Sequence, residues 1–568
     1  MAVDLVLLHA PSVYDFRQKT ILYGPVSDLI PPSPVFEMYP IGFVSIAEYL
    51  ERAGYRVRIV NLAVRMMQDK NFDAGAFIKR LKAPVFGIDL HWLLHCQGAI
   101  EVARLVKQCH PEAKVIFGGL SSSYFYQELM EYPEIDFVMR GDSTEEPLRQ
   151  FMDCIKRGVE PEAVPNLVWR DSQGGIRENP FSHVPADLSG VMVNHYANTV
   201  RSVIRYRDLA SYTPFSGWTS YPITAVFTCR GCTEHCVICG GSAAAFRHCY
   251  NRSKAVFRSP EAVVADVRQI ERFSGGPIFI LGDLRQPGDN YADEVLQLLQ
   301  KKRVKNQFIL ELFSPASTEF IHQMGRSCPR FCLEISPESH DPEVRKASGR
   351  DYSTEDLEQT LSDALDAGCS RLDMFFMIGL PKQTTQSVME TVDYCDHLLQ
   401  KFKGDKRLAL FIAPISPFLD PGSLGFEQPE RHGYRVLFRT LKEHRQALLS
   451  PSWKYSLNYE TEWMTRHQIA DAAYESILRL NRLKAKYGNI PQKLADIGEQ
   501  RLQAAREMMY RIDDLMASGN LEAELPRLKP TVDKINAYPV SDKIQLTLPV
   551  GLIKLKPWRA LWSFVIRR

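Results

Sequence analysis

Four cysteines lie close together in one short segment, Cys229-Arg-Gly-Cys232-Thr-Glu-His-Cys236-Val-Ile-Cys239. Cys232, Cys236 and Cys239 have the spacing C-x3-C-x2-C, which would let a short loop turn three thiolates towards one point. Thiolates are soft ligands that suit iron–sulfur clusters and zinc. Three thiolates on a four-iron cluster leave one iron without a protein ligand, and that iron could bind a substrate or a cofactor.

A structural zinc site is the alternative that the same residues allow. Cys229 would supply a fourth thiolate, and a closed tetrahedral zinc site needs four ligands. Zinc motifs usually occur as two separated pairs of ligands, however, and this loop has no such separation. The residue types favour the iron–sulfur cluster and leave zinc open.

The chain around the loop predicts the elements that would position these thiolates. The apolar run at residues 223–227 is typical of a strand that leads directly into the loop. Further strands are predicted at 277–281, 307–312, 331–335, 372–378 and 408–413, with helices between them. Six parallel strands of this kind predict a partial (βα)6 barrel, open along one side, with its functional groups at the carboxyl ends of the strands.

The N-terminal third shows the same alternation and predicts a second parallel sheet. Strands are predicted at 3–9, 56–61, 84–89, 114–117 and 136–139, and helices at 41–53 and 99–108. The fold class is therefore α/β, with a Rossmann-like doubly wound sheet ahead of the barrel. Ligands of such sheets bind beyond the carboxyl ends of the strands. At those ends this chain has Gly118-Gly119-Leu-Ser121-Ser122 and Arg140-Gly141, although paired glycines are also common in ordinary turns.

The rest of the chain is predicted to connect and cover these two sheets. Residues 166–169 and 176–178 predict a hairpin, and residues 180–218 show little periodicity and predict a packed connecting segment. Helices are predicted at 434–449, 468–486 and 497–517, so the C-terminal region is mainly helical. We place the domain boundaries at 1–160, 161–218, 219–425 and 426–568.

Two aromatic segments near the C-terminus each allow two interpretations. Residues 453–463 would either roof the open barrel and line a substrate pocket or close its core. Residues 549–568 combine lysines and arginines with tryptophans and contain no acidic residue. Such a tail can lie in a membrane interface as a peripheral contact, or it can dock on the protein itself.

The net charge, the cysteine content and the apolar runs of the chain exclude several classes of protein. The 568 residues carry a net charge of +2, which gives no basic excess to indicate a nucleic-acid partner. The 12 cysteines do not form a disulfide framework, and their scatter predicts a reducing, cytoplasmic location. The N-terminus lacks the features of a signal peptide, and no apolar run is long enough for a spanning helix.

Several separated motifs resemble the cobalamin-binding radical S-adenosylmethionine (SAM) enzymes over about residues 3–445. The N-terminal part of the resemblance consists of Tyr39-Pro-Ile-Gly-Phe-Val-Ser-Ile-Ala-Glu-Tyr-Leu-Glu-Arg-Ala-Gly54, the Gly118-Gly119 turn and Asp136-Phe-Val-Met-Arg-Gly141. It implies that Gly118, Gly119, Ser121, Ser122 and Gly141 contact cobalamin. The segment Asp89-Leu-His91 is similar to a known cobalt-binding motif, but Leu94 replaces its glycine. We therefore expect His91 to pack at a strand end rather than to bind cobalt.

The barrel part of the resemblance consists of the cysteine triad and three further strand-end motifs. It implies that Cys232, Cys236 and Cys239 hold a 4Fe-4S cluster, and that Gly282, Asp283, Glu338, Ser339 and Gly379 contact SAM. Three positions depart from the family pattern: Asp283 stands where a glutamate is common, Ser336 replaces a glycine, and Ile238 stands where an aromatic residue is usual. Apart from these departures, the Gly282-Asp283, Ser336-Pro-Glu338-Ser339 and Met377-Ile-Gly379-Leu-Pro381 segments match in order and position.

The resemblance implies a methyltransferase. SAM would be cleaved to a 5′-deoxyadenosyl radical, which would take hydrogen from an unactivated carbon that then receives a methyl group from methylcobalamin. The alternatives are a radical cyclase or rearrangement without methyl transfer, and a non-catalytic corrinoid or iron–sulfur sensor. The implied partners are a small-molecule substrate, for which a large apolar molecule is one option, and an electron donor such as flavodoxin or ferredoxin.

Overall fold

Two parallel sheets organise the part of the chain that the structure describes. The structure is a computed structural model, and it describes residues 3–25, 37–191, 196–415, 417–537 and 556. The first sheet has seven strands: β1 (Leu5–His9), β2 (Val57–Asn61), β3 (Val85–Asp89), β4 (Lys114–Gly118), β5 (Phe137–Met139), β6 (Leu167–Arg170) and β7 (Ile176–Glu178). Their order is β2-β1-β3-β4-β5-β6-β7, and the first five are parallel. The predicted hairpin is confirmed as β6 and β7, and it extends this sheet in the antiparallel sense.

Both faces of this sheet are buried, which explains the near-continuous apolar runs of its strands. In β1, Leu5 and Leu7 pack in the core of one face, and Val6 and Leu8 pack in the core of the other. The helices that cover the two faces are α1 (Gly42–Arg52), α2 (Leu62–Gln68), α3 (Ala74–Arg80), α4 (Cys96–Cys109), α5 (Leu120–Tyr124), α6 (Tyr126–Leu129) and α7 (Glu145–Arg157). The predicted doubly wound sheet is therefore confirmed.

The connecting segment is more regular than its sequence predicted. Helix α8 (Tyr196–Tyr206) lies within it and packs against the edge of the second sheet. The hydroxyls of Tyr196 and Thr224 are 2.6 Å apart, and the Tyr196 ring stacks on Phe273 with 5.6 Å between centroids. The helix is stabilised by these tertiary contacts, which a local periodicity search does not detect.

The second sheet contains six parallel strands in the order β15-β14-β13-β12-β11-β8. With the short antiparallel pair β9 and β10, the strands of this region are β8 (Thr224–Phe227), β9 (Cys229–Arg230), β10 (Val256–Phe257), β11 (Ile278–Leu281), β12 (Phe308–Leu312), β13 (Cys332–Glu338), β14 (Arg371–Ile378) and β15 (Leu408–Pro414). Within the described residues β8 and β15 do not pair with each other, so the sheet forms the predicted partial barrel.

Helices return the chain between these strands and pack on the outside of the barrel. They are α9 (Ala243–Cys249), α10 (Pro260–Phe273), α11 (Asp289–Lys302), α12 (Thr318–Ser327), α13 (Pro342–Ala347), α14 (Thr354–Asp366) and α15 (Thr385–Lys401). Helix α10 begins as its sequence predicts, because the Ser259 side chain accepts from the Ala262 N–H and Pro260 is the first helical residue.

The C-terminal region is mainly helical but corrects one prediction. Its elements are α16 (Leu424–Glu427), β16 (Tyr434–Val436), α17 (Leu441–Ala447), β17 (Tyr459–Thr461), α18 (Arg466–Lys486), α19 (Gln492–Ala517) and α20 (Leu521–Asn536). The helix predicted at 434–449 is wrong in its first half, because Tyr434–Val436 pairs with β17 instead. Thr440 and Glu443 form a capping box, so the helix begins only at Leu441.

The aromatic segment 453–463 contributes buried aromatic side chains to the core. Trp453 and Tyr459 are buried, the Trp453 indole donates to the Tyr474 hydroxyl, and the Tyr459 hydroxyl donates to the Ile415 carbonyl. The predicted basic tail at 549–568 lies outside the described residues except for Lys556. Within the described part of the chain, no helix combines the length and the apolar character needed to cross a membrane.

Candidate active site

A cavity of about 850 Å³ lies between the carboxyl edge of the first sheet and the mouth of the barrel. The first sheet and its loops contribute Asp89, His91, Gly118, Gly119, Gly141 and Asp142. The barrel side contributes Ala225, Phe227, Cys229, Arg230, Gly231 and Leu281. Because both strand-end clusters face the same space, a ligand held by one sheet can meet a ligand held by the other.

Two of the predicted cobalamin-binding glycines have backbone conformations that a side chain would disturb. Gly119 has φ +118°, and a Cβ there would lie 2.6 Å from the His91 nitrogen. Gly141 has φ +107° and donates its N–H to the Ser123 hydroxyl at 2.8 Å. With Gly118, they present bare backbone to the cavity.

The two predicted serines point away from this cavity wall. The Ser121 hydroxyl donates to the His91 carbonyl at 3.1 Å, and the Ser122 hydroxyl donates to the Gly118 carbonyl at 3.1 Å. Neither serine lines the cavity. Their hydroxyls hold the loop in shape, and the glycines beside them form the surface.

Three histidines and one carboxylate lie at the ends of β1 and β3. His9 Nδ1 is 2.9 and 3.1 Å from the two oxygens of Asp89, and His95 Nδ1 is 2.9 Å from the Ala10 carbonyl. Burial lowers the pKa of His95 to about 3 and also lowers the pKa of His91. Of the three histidines, His91 is the one that lines the cavity.

The cavity continues as an apolar slot across the face of the first sheet. Leu7, Gly87 and Ile116 form its floor, and Tyr39 and Phe43 lie among the residues around it. Gly87 has no side chain to fill the slot, and a Cβ there would be 2.8 Å from the Leu7 side chain. This shape fits a flat apolar group whose polar substituents lie at the edge lined by bare backbone. A corrinoid is a group of this kind.

The three predicted cluster ligands lie together at the mouth of the barrel. Burial, with the charges of Asp420, Cys236 and Cys232, raises the pKa of the Cys239 thiol. The Glu234 N–H donates to Cys232 Sγ at 3.4 Å, and the Gly241 N–H donates to Cys239 Sγ at 3.3 Å. Backbone donors of this kind stabilise thiolates, so the loop suits an iron–sulfur cluster.

Cys229 occupies a different position. It lines the large cavity, and its thiol donates to the Gly231 carbonyl at 3.5 Å. Among the residues that the structure describes, no three histidine, cysteine or acidic side chains are grouped to hold a single metal ion. The ligands of a four-iron cluster bind different irons and do not need to converge on one point.

Glu338 and Arg350 stand next to the cysteine loop. Glu338 has φ +69° and follows a register irregularity in β13, so the chain holds it in a conformation that non-glycine residues rarely adopt. It is 7% exposed, and its Oε2 has no hydrogen-bond partner. Burial raises the pKa of Glu338, and the nearby Arg350 opposes that rise. A buried, unpartnered carboxylate oxygen fits a ligand that brings its own donor, such as an amino group.

Glu311 supports the loop of Gly282. The Gly282 N–H donates to Glu311 Oε2 at 2.5 Å. Asp283, the predicted acceptor, is already engaged: it accepts from the Arg285 guanidinium and from the Phe313 N–H at 2.9 Å. The carboxylate of Asp283 therefore shapes the loop.

The last two predicted SAM residues are packed into the protein. Ser339 is fully buried, and its hydroxyl accepts from the Asp341 N–H at 3.2 Å. Gly379 has φ +97° and lies so close to Tyr459 that a Cβ would be 2.2 Å from the phenol oxygen. Both fix the backbone around the site.

Two ion pairs join the cysteine segment to the first sheet, and sequence analysis missed both. Arg230 donates to both carboxylate oxygens of Glu145, one of them at 2.9 Å, and Arg252 donates to both oxygens of Asp142 at 2.5 and 3.0 Å. We call these two pairs the interdomain clamp. The partners are separated by 85 and 110 residues, so no local pattern could reveal them.

Two family models match the chain: the B12 binding domain over residues 33–149 and the Radical SAM superfamily over residues 226–395. The chain therefore carries a B12-binding domain followed by a radical SAM domain. The cavity described above lies between these two domains. The expected cofactors, cobalamin, an iron–sulfur cluster and SAM, are confirmed at the level of the two domain families.

Two curated relatives are similar to this radical SAM protein in sequence. Hopanoid C-3 methylase of Methylococcus capsulatus is 27% identical over 294 residues, 49% of this chain and 50% of that protein. Cytidylyl-2-hydroxyethylphosphonate methyltransferase of Streptomyces wedmorensis is 22% identical over 478 residues, 74% of this chain and 85% of that protein. The match therefore spans half the length of the first relative.

Solved structures show the same fold. The radical SAM methyltransferase TsrM of Kitasatospora setae, with cobalamin and a [4Fe-4S] cluster bound, has a TM-score of 0.55 at 16% identity, covering 77% of this chain and 81% of that chain. The cobalamin-dependent SAM radical enzyme OxsB, with aqua-cobalamin bound, has a TM-score of 0.57 at 12% identity, covering 100% of this chain and 84% of that chain.

Proposed function

We propose that this protein is a cobalamin-dependent radical SAM methyltransferase that methylates an unactivated carbon of a small molecule with a large apolar part. The observation that carries the proposal is the single cavity walled by the glycine turns of the B12-binding domain on one side and by Cys229, Arg230 and Gly231 on the other. Both curated relatives are named as methylating enzymes.

The residues fit the three cofactors in separate places. Cys232, Cys236 and Cys239 would hold the cluster, and Glu338 would accept from the amino group of SAM. Gly118, Gly119 and Gly141 would contact cobalamin at its polar rim, with the apolar slot beside them. When bound, the cluster and SAM supply a carbon-centred radical, and cobalamin supplies a methyl group.

The chain itself orients the substrate and excludes water. Phe227, Phe279 and Leu281 bring apolar side chains to the barrel side of the cavity. An unactivated carbon offers no polar group near the reacting atom, so shape and apolar contact must position it. Exclusion of water also protects a reactive radical from side reactions.

Reductive cleavage of SAM consumes one electron, which a redox partner would supply. We propose a flavodoxin or ferredoxin as the donor and the cytoplasm as the location. All 12 cysteines are free thiols, which agrees with a reducing compartment.

Anaerobic reconstitution tests the proposal. The purified chain is loaded with iron, sulfide and hydroxocobalamin, reduced with dithionite and given SAM, and the products are measured by mass spectrometry. A methyltransferase forms S-adenosylhomocysteine and 5′-deoxyadenosine together. A cyclase forms only 5′-deoxyadenosine, and a sensor forms neither, so either outcome would reject the proposal. The Cys236→Ala variant is the background control.

A further inference from the structure

The interdomain clamp joins the B12-binding domain to the segment that carries the cysteines. Its two arginines bracket the cysteine loop: Arg230 ends β9 just before the triad, and Arg252 follows α9 just after it. Both acceptors belong to one segment of the B12-binding domain: Asp142 follows Gly141 in the loop, Glu145 is the first residue of α7, and both line the cavity.

The two pairs are buried and have several hydrogen bonds each. The side chains of Arg252 and Asp142 are 2% and 7% exposed. Arg252 also donates to the Ser143 hydroxyl and the Pro185 carbonyl, both at 3.1 Å. Glu145 accepts from the Ser45 hydroxyl at 2.7 Å as well as from Arg230. Bidentate pairs of this kind fix orientation as well as distance.

The backbone around the clamp is equally constrained. Gly231, between Arg230 and Cys232, has φ +88°, and a Cβ there would be 2.9 Å from the Arg252 side chain and 3.0 Å from Ala255. On the other side, the Gly141 N–H is held by the Ser123 hydroxyl. The clamp therefore connects the glycine turns of one domain to the cysteine loop of the other through short segments whose backbone is constrained.

We propose that the interdomain clamp is a positioning device that sets the separation between the corrinoid site and the cluster site. This inference rests on the proposed function. In the proposed function, methyl transfer would break the methyl–sulfur bond of SAM and form a methyl–cobalt bond, with the electron pair supplied by Co(I) that the electron donor has reduced, and S-adenosylhomocysteine would leave. The rate of this step would depend on the separation between the two sites, whereas the rate of radical formation at the cluster would not.

Arg252→Gln, Glu145→Gln and their combination test the proposal, with Arg247→Gln as the matched control. Arg247 is an exposed arginine on α9, and it pairs with no acidic side chain among the residues that the structure describes. We expect the clamp variants to transfer methyl from SAM to reduced hydroxocobalamin at least about tenfold more slowly, since small misplacements cost large factors in rate. In Arg252→Gln, whose side chain does not line the cavity, formation of 5′-deoxyadenosine stays at the wild-type rate.

A direct measurement of the separation gives a second readout. Pulsed dipolar electron paramagnetic resonance between the reduced cluster and cob(II)alamin should show one narrow distance in the wild type and the Arg247→Gln control. It should show a broader or longer distribution in the clamp variants. The charge exchange Arg230→Glu with Glu145→Arg should restore part of the wild-type distribution, which general destabilisation would not do.

The proposal is overturned if a clamp variant keeps the wild-type distance distribution and both rates. If Arg252→Gln does not fold, Asp142→Asn removes the carboxylate charge with a nearly isosteric side chain and decides the question by the same criteria. A wild-type protein that binds no cobalamin would instead reject the proposed function, and the clamp would lose its role with it.

Discussion

Arg350 Nε lies 3.7 Å from Glu338 Oε1 at the mouth of the barrel, and the two side chains leave polar atoms unsatisfied on both sides of the contact. Glu338 Oε2 and Arg350 Nε are buried without a hydrogen-bond partner. Arg350 Nη1 donates a hydrogen bond to the Phe313 carbonyl at 2.7 Å. An acceptor and a donor left open beside the cysteine loop match the amino and carboxylate groups of SAM.

Glu338→Gln should weaken SAM binding, because it removes the negative charge that faces the amino group. A hydrogen bond to a charged group contributes about 1.5–3 kcal/mol, which corresponds to an affinity loss of about tenfold or more. The measurement is a SAM titration followed by the electron paramagnetic resonance spectrum of the reduced cluster. Glu343→Gln, a 72% exposed carboxylate on α13, is the control and should behave as wild type. Equal affinities in all three proteins would contradict the assignment of Glu338.

Cys236→Ala and Cys229→Ala should separate the cluster model from a zinc site. The first should lose the visible absorbance of the reconstituted cluster and the cleavage of SAM, whereas the second should keep both. Metal analysis and absorbance after anaerobic reconstitution check the pair. Loss of the metal site in both variants, with zinc bound in the wild type, would favour the four-thiolate site instead.

Gly119→Ala should abolish cobalamin binding while the cluster remains. The new Cβ would meet the backbone at His91, and the positive φ adds about 1–3 kcal/mol of strain. Cobalamin binding is read from the absorbance shift of hydroxocobalamin, and cluster content is read separately. The control is Gly158→Ala, because Gly158 also has a positive φ but has open space around its Cβ position. Unchanged cobalamin affinity in Gly119→Ala would place the corrinoid elsewhere.

Glu334→Gln should stabilise the protein at alkaline pH, because it removes a buried carboxyl group whose ionisation destabilises the fold. Glu334 faces Glu311 and Asp373 in one register row across β12, β13 and β14, and burial with the charges of Asp373 and Glu311 raises its pKa from 4.5 to about 8. Since the folded-state pKa is raised, the folded protein binds more protons between these values, and its stability falls as pH rises through that window. The variant should therefore melt at a higher temperature than wild type at about pH 8.5 and at a similar temperature at about pH 5.

Differential scanning fluorimetry across this pH range checks the sign, with Glu343→Gln as the exposed control. A melting difference that grows towards acid pH would contradict the raised pKa.

The parallel strands of both sheets could be predicted because most of them are short apolar runs that end at a glycine or a polar turn. The triad Cys232, Cys236 and Cys239 was predictable for the same reason, since its spacing is local. The environment of Glu338 was not predictable, because Arg350 reaches it from beyond the next helix. The strand at Tyr434–Val436 was predicted as helix, because its partner strand Tyr459–Thr461 lies far along the chain.

Helix α8 covers the unpaired edge of β8 and brings Tyr196, Thr199, Val200 and Val203 to the cavity. None of these residues belongs to the glycine turns or the cysteine loop. Exchange of this one helix between related proteins would therefore change the shape of the cavity and the substrate that it accepts. The residues that would hold the cluster, SAM and cobalamin would stay the same.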